Sequence, residues 1–181
     1  MATRTFVLSK RQVKVLLTQI VTIYRNVYTL PPYRKPQAEI IDFENSLPIH
    51  LEREAFRFIG AFEGNPEELV GFAYGYTSQA GQWWYDHVRS ELPEATASHW
   101  LENAFQLAEI SVNPEFQGRG IGSRLHDQLL RRIRHPRAIL STLQADIVAH
   151  HLYRSRGWVV LRENLFFPGV ERRYQIMGLE P

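Results

Sequence analysis

Six residues, Gln117-Gly118-Arg119-Gly120-Ile121-Gly122, can hold an anion with main chain alone. Glycines let a backbone approach a ligand closely. A helix start behind them adds unpaired N–H groups and the positive end of its dipole. The chemistry on offer is phosphate binding, as for a phosphorylated cofactor. Two familiar phosphate loops do not fit: the dinucleotide pattern G-x-G-x-x-G lacks its third glycine here, and the lysine of G-x-x-x-x-G-K-[ST] is missing. Glu109 is a second chemical feature. A carboxylate among Leu107, Ile110 and Val112 is costly to bury without a partner. Partial burial would raise its pKa toward the working pH.

The loop needs a strand before it and a helix after it. Leu107–Val112 reads as the strand, closed by Asn113 and Pro114. Ile121, Leu125, Leu129 and Ile133 form one helical stripe. Ala138–Leu143 reads as a further strand. A second signature follows it, with Asp146, Ala149, Leu152, Tyr153, Gly157 and Trp158 at fixed offsets.

The pattern Q-x-x-G-x-G after a strand ending V-x-P resembles the coenzyme A loop of the GNAT superfamily of N-acetyltransferases. The second signature looks like that family's N-x-x-A-x-x-L-Y-x-x-x-G-F, with Asp146 in the Asn position and Trp158 in the Phe position. The resemblance is strong over about 105–160. It implies an α+β fold, a central mixed, mostly antiparallel sheet flanked by helices on both sides, and acetyl-CoA as cosubstrate. It also implies that Gln117, Gly118, Arg119, Gly120, Ile121, Gly122 and Ser123 bind the cofactor, the amides from about Gly118 to Ser123 holding the pyrophosphate. Main-chain groups of Ile110 and Val112 would pair with the pantetheine arm, and the Val112 N–H would polarise the thioester. Asp146, as an ionised acid, could accept but not donate a hydrogen bond to the cofactor. Tyr153 is the implied general acid; a packed tyrosine with a satisfied hydroxyl is the plainer reading. Glu109 is the candidate general base, or a carboxylate that attracts the cationic amine.

Elsewhere, Thr5–Leu8 reads as a first strand and Ser9 to Gln12 as a capping box. Helical periodicity then runs from Val13 to Val27 and stops at Pro31 and Pro32. A second helix is expected from Pro36 to about Asn45, ending near Pro48. By the resemblance, residues 28–33 help wall the acceptor pocket. Phe56–Glu63 and Leu69–Tyr76 read as a hairpin whose aromatics alternate, turning at Gly64–Glu68. Residues 79–104 should hold helices near Trp83–Leu92 and Pro93–Asn103. One of Trp83 and Trp84 would pack while the other lines a pocket or interface. Val159–Phe167 and Arg172–Leu179 read as the last strands, completing one domain over residues 1–181.

Composition narrows the function. The chain has 181 residues, 44% of them hydrophobic, so it can bury a sizeable core. It contains no cysteine, which excludes disulfides and an acetyl-cysteine intermediate. Acyl transfer would then be direct. Net charge is +2, too small to argue for nucleic acid. The cluster Arg131, Arg132, Arg134 and Arg137 reads as a solvated helix end or an aid to an acidic ligand. Nothing suggests a membrane span or a signal core, so a cytoplasmic location is expected. No metal is expected, because the adjacent His150 and His151 point to different faces. His87 and His99 are alternative bases by location only. The resulting expectation is transfer of an acetyl group from acetyl-CoA to a primary amine of a small molecule or peptide. The rivals are a catalytically silent CoA-binding sensor or interaction protein and a basic nucleic-acid-binding module. Homodimers are common in the resembling family.

Overall fold

The computed structural model describes residues 3–64 and 67–181. Asn65 and Pro66 of the expected hairpin turn therefore lie outside the described residues. The chain divides into two compact units, residues 1–76 with 108–131 and residues 77–107 with 132–181. Among the described residues there are seven strands and seven α-helices.

In the first unit, β1 (Arg4–Leu8) pairs antiparallel with β2 (Arg57–Glu63), which pairs antiparallel with β3 (Glu68–Ser78). Next to β3 runs β4 (Ala104–Val112), with Asn113 N–H donating to Val70 O at 2.9 Å. Gly71 permits this approach: a Cβ there would stand 3.0 Å from Ser111 O. Ser9 caps α1 (Lys10–Val15) through the expected box with Gln12. The periodic run to Val27 is split at Leu16, where α2 (Leu17–Tyr28) begins.

Helix α3 (Gln37–His50) runs through Pro48, against the expectation that it ends there. Pro48 removes one N–H, yet Ile40, Phe43, Leu47 and Leu51 form a continuous buried stripe, and Leu51 N–H bonds Leu47 O at 3.0 Å. Burial of that stripe outweighs the lost bond. Phe58, Phe72, Tyr74 and Tyr76, alternating on β2 and β3, meet it in one core with Ile20 and Tyr24.

In the second unit, α4 (Trp83–Glu91) and α5 (Glu94–Leu101) fill the long connection. The start of β4 is parallel to β5 (Arg137–Leu143), from Ala104↔Arg137 to Gln106↔Ile139. β7 (Tyr174–Leu179) pairs antiparallel with β5 and with β6 (Val159–Leu165). Val88, Leu101, Ala104, Ile139, Leu165 and Ile176 form its core. The arrangement is mixed and mostly antiparallel.

Candidate active site

The glycine loop joins β4 to α6 (Ile121–Leu130), whose stripe of Ile121, Leu125 and Leu129 is buried in the first unit. Pro114–Phe116 makes one 3-10 turn, and Gln117 Nε2 donates back to Val112 O at 2.9 Å. Gly118 and Gly120 hold φ of +75° and +71°, conformations that side chains resist. Gly120 caps α6 with no side-chain hydrogen bond, and the space where its Cβ or that of Gly118 would stand is open to 4 Å. A helix start with its first N–H groups uncapped, facing open space over glycine, fits an anionic group. Arg119 is tethered: its guanidinium donates to Glu63 Oε1 at 3.2 Å and to Glu115 O at 3.1 Å, over the Phe116 ring. Only its main chain is presented by the loop. Ser123 follows in the first turn of α6, and Arg124 is exposed.

Glu109 lies half-buried on β4, in the first unit. Three donors converge on its Oε1: the Tyr28 hydroxyl, Ser111 Oγ at 3.0 Å and the N–H of Ile110 at 3.1 Å. Burial pushes its carboxyl pKa up; Lys35 and those three donors pull the other way. Tyr28 is raised well above the ordinary phenol value by burial and then by Glu109, so it stays a donor. Tyr28 closes α2 and meets the Tyr24 ring at 4.4 Å and the Tyr33 ring at 4.7 Å. Tyr24 stacks on Phe43 at 3.7 Å, which anchors the group to the core. Lys35 Nζ donates to Tyr24 Oη at 2.6 Å and lies 4.1 Å from the Tyr28 ring centre.

Sequence reasoning marked Glu109 but not its partners Tyr28, Ser111 and Lys35. The resemblance makes residues 28–33 a pocket wall, and the spacing of Tyr24, Tyr28, Tyr33 and Lys35 along residues 24–35 is the signal the sequence offers. The N–H of Ile110 is engaged by Glu109 at 3.1 Å.

Tyr153 is in the second unit, on α7 (Val148–Ser155), 4% exposed, with its ring 5.7 Å from that of Trp158. The spacing of Asp146, Ala149 and Tyr153 by three and four predicts one shared helix face, and Asp146 departs from it. It precedes the N-cap Ile147, and its side chain is 97% exposed, 3.7 Å from His151 Nε2. Ala149 and Tyr153 remain on α7. His87 Nε2 meets Phe166 O at 2.9 Å and His99 Nε2 meets Glu180 at 3.0 Å. Trp84 is the packed tryptophan, its Nε1 donating to Ser141 Oγ at 3.0 Å, while Trp83 is 59% exposed.

The sequence profile of the acetyltransferase (GNAT) family matches residues 17–158. The chain belongs to that family. It is 33% identical over 118 residues to a GCN5-like protein acetyltransferase of Mycobacterium tuberculosis, an alignment covering 61% of this chain and 57% of that protein. The chain thus spans somewhat over half the length of that curated relative. The fold matches a structure described as a GNAT-family acetyltransferase from Desulfovibrio desulfuricans, with a TM-score of 0.67, 16% identity and 99% of both chains covered. It also matches a Salmonella typhimurium structure described as an acetyltransferase with its cofactor acetyl-CoA, with a TM-score of 0.64, 13% identity, and 99% and 94% of the chains covered. The fold class expected from the resemblance is the one observed. Among the described residues no helix is long and apolar enough to cross a membrane.

Proposed function

We propose that this chain is an acetyl-CoA-dependent N-acetyltransferase that acylates a primary amine of a small molecule or peptide directly. The observation that carries the reading is the hold on Glu109: one carboxylate oxygen fixed by Tyr28, Ser111 and Ile110 N–H, within a tyrosine-lined part of the first unit. Acetyl-CoA supplies the acetyl group as an activated thioester. The amides of residues 118–123 bind its pyrophosphate, and the Val112 N–H polarises the thioester carbonyl. Glu109 accepts the proton that the amine loses as the C–N bond forms, and Oε2 is the oxygen for that task. Tyr153 donates a proton to the departing thiolate as the C–S bond breaks; this role rests on the family motif. Asp146, when ionised, accepts but does not donate a hydrogen bond to the cofactor; this role too rests on the family motif.

Thermal stabilisation by acetyl-CoA, against CoA, NADH and ATP, tests the cofactor. A ligand at 100 times its Kd stabilises by about 2.7 kcal/mol. The expected result is stabilisation by acetyl-CoA and CoA that Gly120→Glu abolishes, with amine-dependent thiol release that Glu109→Gln suppresses. Absence of stabilisation by either CoA species overturns the reading. Stabilisation without thiol release for any amine favours a silent CoA-binding protein.

A further inference from the structure

We infer that the amine acceptor carries a carboxylate beside its amine, as a free α-amino acid does, and that Lys35 selects it. The inference rests on the N-acetyltransferase reading and names the substrate class of that site.

The observation is the placing of a cation next to the candidate base. Lys35 is not a solvated surface lysine. Its N–H bonds Tyr28 O at 2.7 Å, which fixes the backbone against the end of α2. Its ammonium donates to Tyr24 Oη at 2.6 Å and lies over two rings, 4.1 Å from the centre of Tyr28 and 4.9 Å from that of Tyr24. Tyr24 is itself locked by stacking on Phe43, with 2° between the ring planes. The same Tyr28 ring that carries the ammonium on its face donates its hydroxyl to Glu109. The fold therefore holds an ammonium on the face of one tyrosine and a carboxyl group at that tyrosine's hydroxyl.

Such a pair selects by charge. A carboxylate alone would favour any cationic amine, and a polyamine most of all. With Lys35 beside it, a second ammonium on the acceptor meets repulsion in a partly desolvated place, where charges are poorly screened. The ligand complementary to a minus beside a plus carries a plus beside a minus. An α-amino acid does: its ammonium faces Glu109 and its carboxylate faces Lys35. A protein lysine side chain offers the ammonium without the neighbouring anion.

The test measures thiol release with acetyl-CoA and the twenty common amino acids, each paired where one exists with the amine formed by removing its carboxyl group. Phenylalanine against phenethylamine is one such pair; spermidine and a lysine-containing peptide complete the panel. Wild type, Lys35→Gln and Lys35→Arg are compared, with melting temperature and acetyl-CoA binding followed for each. The expected result is an amino acid favoured over its decarboxylated partner by about ten- to a hundredfold in kcat/KM, the worth of a charge-assisted hydrogen bond. Lys35→Gln removes that preference by raising KM for the amino acid alone, and Lys35→Arg keeps most of it. Equal use of both members of every pair by wild type overturns the inference, whatever the variants do. So does a preference that survives in Lys35→Gln, or faster acetylation of spermidine or the peptide. Binding of acetyl-CoA with no amino acid acetylated also overturns it, while leaving the cofactor reading intact. Absence of both binding and thiol release is the separate failure of the acetyltransferase reading itself.

Discussion

The Tyr28 hydroxyl donates to Glu109 Oε1, tying the last residue of α2 to the middle of β4 across 81 positions of sequence. This bond orients a carboxylate whose burial is costly, and it pulls against the upward push of burial on the carboxyl pKa. Tyr28→Phe removes one of the influences that lower the Glu109 pKa. The acid limb of the kcat/KM profile should therefore move to higher pH, with acetyl-CoA affinity unchanged. Stability should fall by about 1 kcal/mol for the lost hydrogen bond. An unmoved acid limb would show that Glu109 is not the titrating base.

Glu109→Gln gives a sign-specific stability test. The folded-state pKa of Glu109 is raised by burial, so between its ordinary and its raised pKa the folded protein holds more proton than the unfolded chain. Glu109 thus destabilises increasingly as pH rises through that interval. The amide keeps an acceptor oxygen for Tyr28 and carries no charge to desolvate. The variant should melt no lower than wild type at pH 7, lose that advantage by pH 4, and lose about 10²–10⁴ in turnover.

His50 sets an acid limit from the other direction. Burial, then the Arg53 charge, hold its pKa down at about 4, while its ring nitrogen Nδ1 lies 3.0 Å from Tyr74 Oη. A histidine depressed on folding binds fewer protons folded than unfolded, so its cost appears as pH falls from about 6.5 toward 4. The loss over that whole interval should be about 3 kcal/mol. Chemical denaturation at pH 7 and pH 4.5 should show a smaller difference for His50→Gln than for wild type.

Gly120→Ala and Gly122→Ala separate backbone strain from cradle space. Gly120 needs a positive φ, whereas a Cβ at Gly122 would make an ordinary contact of 3.9 Å with Val112 Cγ2. The first variant should lose about 1 kcal/mol of stability and at least tenfold in acetyl-CoA affinity. The second should keep its melting temperature. Any loss of affinity it shows then reports on how closely the cofactor approaches.

Gly178→Ala should be costlier than either, although nothing in its surroundings is chemical. A Cβ there would overlap the Trp100 ring and stand 3.0 Å from Leu161 Cδ1. An overpacked core loses about 1–3 kcal/mol, and Trp100→Leu in the same chain should recover part of it.

Local rules carried much of this protein into view from its sequence. The glycine loop, the stripe of Ile121, Leu125 and Leu129, the Ser9 box and the alternating Phe58, Phe72 and Tyr74 obey short-range geometry, which a few neighbouring residues dictate. Pro48 and Asp146 show where those rules end. A helix continued through the proline because its buried stripe did, and an expected helix face stopped two residues short because the chain before Val148 is not helical. The amino-acid sequence places a carboxylate on the strand before a glycine loop. What that carboxylate touches emerges only on folding, because Tyr28 reaches Glu109 through packing of α2 on the sheet, and no local periodicity encodes which distant side chain bonds a buried oxygen.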